Sequence, residues 1–443
     1  MPTIIKDTLT VTASQARYIL ERETMRGGIF VDLDRAMDYY CHHLDAARPH
    51  INTMKMISGN MRIHPDSIED VKATLIKVFN VSEHYLKQRD GKLSIAAEII
   101  EQLQINPSVN EEAKEFLKAY TAASQNLYMS SYMGQYVNNP LVMGESFEGH
   151  RMTIARPQWT ELVTGRISAK QPSIQNINRD VADIITHPPG YLMFFSDSGQ
   201  IEPRIRYSAI IKDPVIKHLI MAYDDAYYGQ LHYIQMTDQE YKEAYMNPNS
   251  IVLKPVTKPM EDTRKELKVI LLKGTYGSAM DGVDPLLFSQ FKRRLLQHPL
   301  NIQLEEEIRE YVDNGGETFY SPFGSEVRPE EKEKYPKGTP GWRNHLVRCG
   351  LNNPLQRAAA DCMNESVARS SKILSSRASK QSFIGYYKHD EGLFYLAPGD
   401  HGLKDELRDC MSYDVEINGE KWIPIRSDEH IGKKKGNPEV PVI

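Results

Sequence analysis

The chain has 443 residues, 40% of them hydrophobic and 26% charged, and a formal net charge of −5. This is the make-up of an ordinary soluble protein, long enough for two or three sub-domains around more than one core. No apolar stretch approaches the roughly 20 residues that span a bilayer, the N-terminus lacks the apolar stretch of a signal peptide, and the scattered Cys41, Cys349, Cys362 and Cys410 fit no zinc spacing. The expectation is a reduced, cytoplasmic protein without a membrane partner.

Residues 12–150 carry a mostly helical pattern. Gly27-Gly28 and Ile29-Phe-Val-Asp32 separate a first helix from a long second one over roughly 33–57, and helical stretches follow near 66–80, 82–104 and 110–128. Residues 150–225 turn strand-like, with Pro157, Pro172, Pro188, Pro189 and Pro203 as punctuation. Within them Tyr191-Leu-Met-Phe-Phe195 reads as a buried strand that stops at Asp197. Residues 259–313 return to helix. Phe319 to Val327 predicts a hairpin turning at Pro322 to Gly324, and the charged, Pro/Gly-rich residues 328–341 an exposed loop. A helix over about 354–376 precedes a strand-turn-strand, Phe383 to Phe394, with Asp390 in its turn. From Ile431 the chain is polar, with Lys433-Lys-Lys435, and reads as a frayed tail. Long helices with a few separated strands give an α+β class, not a βαβ alternation.

Five segments carry chemistry. Asp197-Ser-Gly-Gln-Ile-Glu-Pro-Arg204 fits either a strand-to-helix turn with a solvated acid or a metal ligand, with the Ser198 carbonyl beside it. Lys388-His-Asp-Glu391 fits a polar hairpin turn or a second acidic site. A carboxylate at a strand end is costly unless a cation meets it, and two that converge can hold a pair of Mg²⁺ ions. Arg264, Lys268, Leu272 and Tyr276 recur every four residues and share one helix face. Such a strip fits an amphipathic helix with a solvated basic side, or a triphosphate grip followed by an apolar bed for base and sugar. Thr164-Gly-Arg-Ile-Ser168 with Gln175 and Asn176 offers side chains that meet phosphates and base edges. In Arg348-Cys-Gly-Leu-Asn-Asn-Pro-Leu-Gln356, Asn352 and Gln356 lie four apart across a helix start, where an N-cap role for Asn352 or Asn353 competes with a minor-groove contact. The net charge does not favour nucleic acid, but a local basic face decides the matter. Arg166, Lys170 and Arg179, then Arg264, Lys265 and Lys268, then Arg343 and Arg348 supply one.

These five segments, in this order, resemble family A DNA polymerases, the DNA polymerase I group. Asp197-Ser-Gly-Gln-Ile-Glu-Pro-Arg resembles motif A, the 264–277 segment motif B, and Lys388-His-Asp-Glu motif C, while Thr-Gly-Arg-Ile-Ser and Gln-Asn-Ile match the upstream signature. The similarity covers about residues 15–425. It implies a right-hand polymerase fold: a palm with an antiparallel sheet, and helical fingers and thumb. The N-terminal helical region and thumb would occupy 1–150, the palm 151–225 and 319–443 with the C-terminal tail, and the fingers 226–318.

The resemblance also implies the chemistry. Asp197, Ser198 and Asp390 would hold two Mg²⁺ ions, with Mn²⁺ as a substitute, and Glu391 would assist. Arg264 and Lys268 would grip the triphosphate of a deoxynucleoside triphosphate, and Lys268 would protonate the pyrophosphate. Gln200, Glu202, Leu272 and Tyr276 would complete the nucleotide site, with Glu202 excluding a 2′-hydroxyl. Arg166, Gln175, Asn176, Arg348, Asn352, Gln356 and His389 would line the primer-template DNA. Ser198, Pro203, Leu272 and Lys273 depart from the family pattern, and an aliphatic Leu272 loses aromatic stacking on the nucleotide, which implies altered nucleotide selectivity. No room for a proofreading exonuclease and no Asp-x-Glu motif near the start is seen. That implies a compact, phage-like enzyme in a bacterial or phage-infected cell, served by a separate exonuclease, helicase or processivity factor. A single-subunit RNA polymerase and a catalytically inactive DNA-binding replisome protein are the rival readings.

Overall fold

The computed structural model describes residues 3–6, 9–87, 92–138, 140–177, 179–276, 284–331 and 335–432; of 3–6, 176, 179 and 272–276 only the backbone is described. After strand β1 (Thr3–Lys6), helix α1 (Ala13–Arg26) starts from a capping box between Thr12 and Gln15. It ends at Gly27, where a Cβ would come within 2.2 Å of the Phe383 ring, so only glycine allows the approach. Strand β2 (Ile29–Asp32) leads into α2 (Leu33–Ser58), capped by the Asp32 carboxylate accepting from Arg35 N at 3.0 Å. Helices α3 (Ile68–Lys77), α4 (Glu83–Leu86), α5 (Ala97–Ile105) and α6 (Glu111–Val137) follow. The continuous helix expected over 82–104 is thus two pieces, with a bridge between Lys87 and Leu93 separating them.

Strand β3 (Val142–Glu145) precedes the stretch expected to be strand-like, and β4 (Arg151–Ala155), β5 (Gln158–Glu161), β6 (Ile167–Lys170) and β7 (Leu192–Ser198) fall within it, with short 3-10 helices at Ile174–Asn176 and Arg179–Ile184 between β6 and β7. Beyond Ser198 the chain is helical, in α7 (Ile201–Ile205) and α8 (Pro214–Tyr223), which corrects the reading of 150–225. The Asp213 carboxylate caps α8 through Val215 N and Ile216 N, Pro214 takes the first turn, and Val215, Ile216, Leu219 and Ile220 are buried at helical spacing. These signals outweigh the β-branched character of the run. Next come α9 (Ala226–Gln235), α10 (Asp238–Met246), α11 (Lys258–Tyr276), α12 (Pro285–Phe291), α13 (Pro299–Asp313) and the hairpin β8 (Phe319–Tyr320) to β9 (Glu326–Val327).

Helix α14 spans Pro340–Arg377, fourteen residues earlier than the expected start at 354. Its cap is Thr339, whose hydroxyl accepts from Trp342 N at 3.1 Å. Pro354 sits inside the helix, as do Asn352 and Asn353, so the N-cap role considered for the two asparagines does not apply. Strands β10 (Phe383–Lys388) and β11 (Glu391–Leu396), helix α15 (Lys404–Asp409) and strands β12 (Tyr413–Ile417), β13 (Glu420–Lys421) and β14 (Ser427–Ile431) complete the order. The tail expected to fray falls mostly on 433–443, outside the described residues.

The chain forms two compact units. One comprises Met1–Ile29, Arg156–Asn176 and Gly190–Ile443; the other comprises Phe30–Ala155 and Ile177–Pro189. The smaller unit is chiefly helical, its core built from residues such as Leu75, Phe79, Phe116 and Leu117. The larger unit is centred on an antiparallel sheet ordered β10-β11-β7-β14. Phe194 and Phe394 stack across two of its strands at 4.9 Å, each fully buried, and each such ring contributes on the order of 1.5–3 kcal/mol by burial. A second core of that unit joins α8, α9, α11 and α12 through Ile216, Leu219, Leu231, Leu267, Ile270 and Phe291. No helix among the described residues is long and apolar enough to cross a membrane.

Candidate active site

Asp197 does not end its strand. It is paired inside the sheet, opposite Glu391 on β11 and Asp428 on β14. Directly opposed residues of antiparallel strands present their side chains on one face, so three carboxyl groups stand in a row. Like charges so placed repel each other unless a cation lies among them. Asp390 comes next to this row by main-chain bonding: Ser198 N donates to the Asp390 carbonyl at 2.8 Å. The turn between β10 and β11 is only two residues long, and His389 takes the left-handed conformation there at φ 54°. Burial holds the Asp390 carboxyl above the ordinary carboxylate range, the negative charges of Glu202 and Glu391 raise it further, and Arg166 pulls the other way. A group strained in this way by its own charge fits a bound cation. The Glu391 carboxylate accepts from the buried Tyr386 hydroxyl at 2.6 Å, which fixes it. The Ser198 hydroxyl is turned into the core, donating to the Met411 carbonyl at 2.8 Å.

The β5–β6 turn delivers Arg166. Leu162 N donates to the Arg166 carbonyl and Gly165 N to the Leu162 carbonyl, at 2.9 and 2.8 Å, and the Arg166 guanidinium pairs with Glu202. Glu202 lies in the first turn of α7, which the chain enters through Gln200 in the left-handed region at φ 57°. The Gln200 amide donates to Asp225 Oδ2 at 2.6 Å and its carbonyl accepts from Ala226 N, tying the start of α7 to the start of α9. Arg204, only 4% exposed, reinforces this through the carbonyls of Pro424 and Asp224 at 2.6 and 2.7 Å.

On α11, Arg264 Nη2 pairs with Asp225 Oδ2 at 2.5 Å. Its guanidinium carbon lies 5.2 and 5.1 Å from the ring centres of Tyr227 and Tyr228. Asp225 also caps α9 by accepting from Tyr228 N at 2.7 Å. Burial alone would raise the Asp225 carboxyl, but its hydrogen bonds from Arg264 and the helix outweigh that and hold it below the ordinary range. Lys268 is exposed and lies 5.7 Å from the Tyr227 ring centre. The side chains of Leu272, Lys273 and Tyr276 lie outside the described residues, although the α11 backbone continues to Tyr276.

A cavity of about 600 Å³ opens at this place. Arg166, Gln200, Glu202, Lys268, Asn352, His389 and Asp390 line it, so the structure brings seven of the expected site residues to one cavity. Tyr207, Phe291, Leu295 and Leu355 give it an apolar side. Other expected residues do not line it. Gln175 folds back on β6, donating to the Ile167 carbonyl at 2.9 Å and accepting from Ser168 at 3.0 Å. Arg348 lies over the Tyr335 ring at 5.5 Å, Gln356 lies further along α14, and the Asn176 side chain is outside the described residues. Asp225, Tyr227 and Asp428 were not expected. For the first two a signal exists: an Asp before Ala-Tyr-Tyr is a helix-cap pattern beside two rings.

Another acidic group, in the smaller unit, has ligand atoms of Asp32, Glu148 and His150 within 4.8 Å of one another. Arg35 already serves it, with Nη2 at 2.9 Å from Glu148 and Nε at 3.6 Å from Asp32, and His150 Nδ1 meets Asp32 at 2.7 Å. The guanidinium supplies the positive charge a metal would bring, so the group is an ion-pair network around the α2 cap.

No family model matches the sequence. No curated protein is similar to it in sequence. Among solved structures, the polymerase domain of Pol1 from M. smegmatis, in complex with a DNA primer-template and dNTP, is similar with a TM-score of 0.71 at 18% identity. The match covers 95% of this chain and 70% of that one. The chain therefore has the mixed helix-and-sheet fold of a polymerase domain.

Proposed function

We propose that this chain is a template-directed DNA polymerase that adds deoxynucleotides to a primer 3′-hydroxyl. The observation that carries the reading is the junction of β7 with the β10–β11 turn. There Asp197 stands in register with Glu391 and Ser198 N holds the Asp390 carbonyl, and Asp390 lines the same cavity as Lys268. The fold of a solved polymerase domain, itself bound to primer-template and dNTP, supports it.

Asp197 and Asp390, with the Ser198 carbonyl, would hold two Mg²⁺ ions, and Mn²⁺ would serve in their place. When bound, such ions supply Lewis-acid activation of the primer hydroxyl and stabilise the leaving pyrophosphate. Lys268 and Arg264 bind the triphosphate by charge-assisted hydrogen bonds. Glu202, held by Arg166, restricts the sugar edge of the site and disfavours a 2′-hydroxyl. Asn352 and His389 face the primer-template from the cavity wall. The N-terminal helical region to residue 150 would serve as the thumb, 151–225 and 319–443 with the central sheet as the palm, and 226–318, α9 to α13, as the fingers.

Primer extension with Mg²⁺ tests this, comparing wild type with Asp390→Ala, deoxynucleotides with ribonucleotides, and matched with mismatched 3′ ends. Wild type is expected to extend with deoxynucleotides, and Asp390→Ala to lose on the order of a thousandfold or more in rate. Extension preferring ribonucleotides would favour an RNA polymerase, and equal, negligible extension by both proteins a DNA-binding scaffold.

A further inference from the structure

Lys268 and Arg264 lie one helical turn apart, and two like charges at that spacing repel. Arg264 is compensated by Asp225, whereas Lys268 makes no ion pair among the described residues. What Lys268 does meet is the Tyr227 ring at 5.7 Å, the same ring that lies 5.2 Å from the Arg264 guanidinium. Tyr227 is 7% exposed and lines the cavity beside Lys268. Its helix is fixed from two sides. The Asp225 cap holds the first turn, and Gly229 packs so closely on α8 that a Cβ there would reach within 2.7 Å of Ile220 N. The ring therefore stands buried on a backbone held from two sides, whereas a lysine on an exposed helix face otherwise samples many rotamers. Burial pushes the Tyr227 hydroxyl up to about 12, so the ring stays neutral at physiological pH and acts through its π face.

We infer that Tyr227 is a positioning residue for polyphosphate binding: its ring face holds Lys268 at the cavity that both line, so an incoming triphosphate meets a cation already in place. This rests on the polymerase reading for the identity of the substrate, but not for the ring-to-cation geometry. An immobilised cation spends less entropy on binding, so the benefit falls on affinity, not on the chemical step.

The test compares wild type, Tyr227→Phe and Tyr227→Leu. It measures the dNTP KM and kcat of primer extension, the Kd for inorganic tripolyphosphate by titration calorimetry, and thermal unfolding. The phenylalanine variant keeps the face and should match wild type. The leucine variant should raise the dNTP KM and the tripolyphosphate Kd by about fivefold, the size of one cation–π contact, with kcat nearly unchanged. In a Lys268→Ala background most of that effect should vanish. Equal behaviour of the Phe and Leu variants, or a loss in kcat at constant KM, overturns the inference. Should the leucine variant unfold, Tyr227→Met takes its place. If the wild type extends no primer, the polymerase assignment falls, and the tripolyphosphate titration alone decides the role of Tyr227.

Discussion

At the acid end of the site, Asp197 and the Asp390 turn are placed by the main chain: a strand pairing on both sides of Asp197 and the bond from Ser198 N to the Asp390 carbonyl. At the cation end, Arg264 and Lys268 owe their places to side chains of another helix, Asp225, Tyr227 and Tyr228. Main-chain placement tolerates side-chain change nearby and holds a fixed geometry, which suits ions that need ligands at set positions. Side-chain placement can be exchanged, which suits a ligand that arrives and leaves each cycle. Arg264 shows the exchange most plainly, because the carboxylate that now holds it occupies the role a phosphate would take.

The contrast predicts how substitutions distribute. If both acids hold the ions as proposed, replacing either Asp197 or Asp390 removes one ligand without moving its partner, so both alanine variants should lose extension on the order of a thousandfold while unfolding near the wild-type temperature. Lys268→Ala should cost less, about 10- to 100-fold in kcat/KM for dNTP, the worth of one or two charge-assisted hydrogen bonds to phosphate. If Lys268→Ala matched the aspartate variants in severity, the cation end would be as rigidly demanded as the acid end, and the contrast would break.

Asp225 gives the same contrast a pH dependence. Its folded-state pKa is depressed, so its stabilising contribution is present above the unfolded value near 3.8 and is lost as pH falls through the lower folded value. Asp225→Asn should therefore lower stability at neutral pH by about 1.5–3 kcal/mol, the range for a charged hydrogen bond. The gap to wild type, read from urea unfolding, should close as the pH drops below the ordinary carboxylate range. Between pH 6 and 9 Asp225 stays ionised, so a gap that changed across that window would assign the effect to another group.

Much of this was legible in the sequence, for reasons that differ by element. The α1–β2–α2 passage was readable because Gly27-Gly28 and the Asp32 cap are local signals. The β10–β11 hairpin was readable because two apolar runs flank a short polar turn. The start of α14 was not, since Pro354 inside a helix resembles Pro at a helix start, while the Thr339 cap with Pro340 lies in a charged, Pro/Gly-rich stretch that reads as a loop until Trp342 and Leu346 pack. The basic strip showed its two cations but not what holds them. The Asp225–Arg264 pair joins positions 39 apart, and α9 and α11 share a core that includes Leu231, Leu267 and Ile270. The same holds for Asp428, an exposed acid in a polar stretch until strand pairing sets it opposite Asp197.

Asp428 therefore supplies the finest test of how far the acid end extends. Its Cα is opposite Asp197, as Glu391's is on the other side, but it is exposed and lies on β14, at the edge of the sheet. An exposed carboxylate is well solvated and contributes little field at a neighbouring site. Asp428→Asn should thus change extension by no more than about threefold, and should mainly raise the Mg²⁺ concentration needed for half-maximal rate, because it removes one charge from the row. A loss comparable with that of Asp197→Ala would instead make Asp428 a third member of the ion-binding set. The acid end would then be a three-strand constellation, and its rigidity would depend on β14 as much as on the β10–β11 turn.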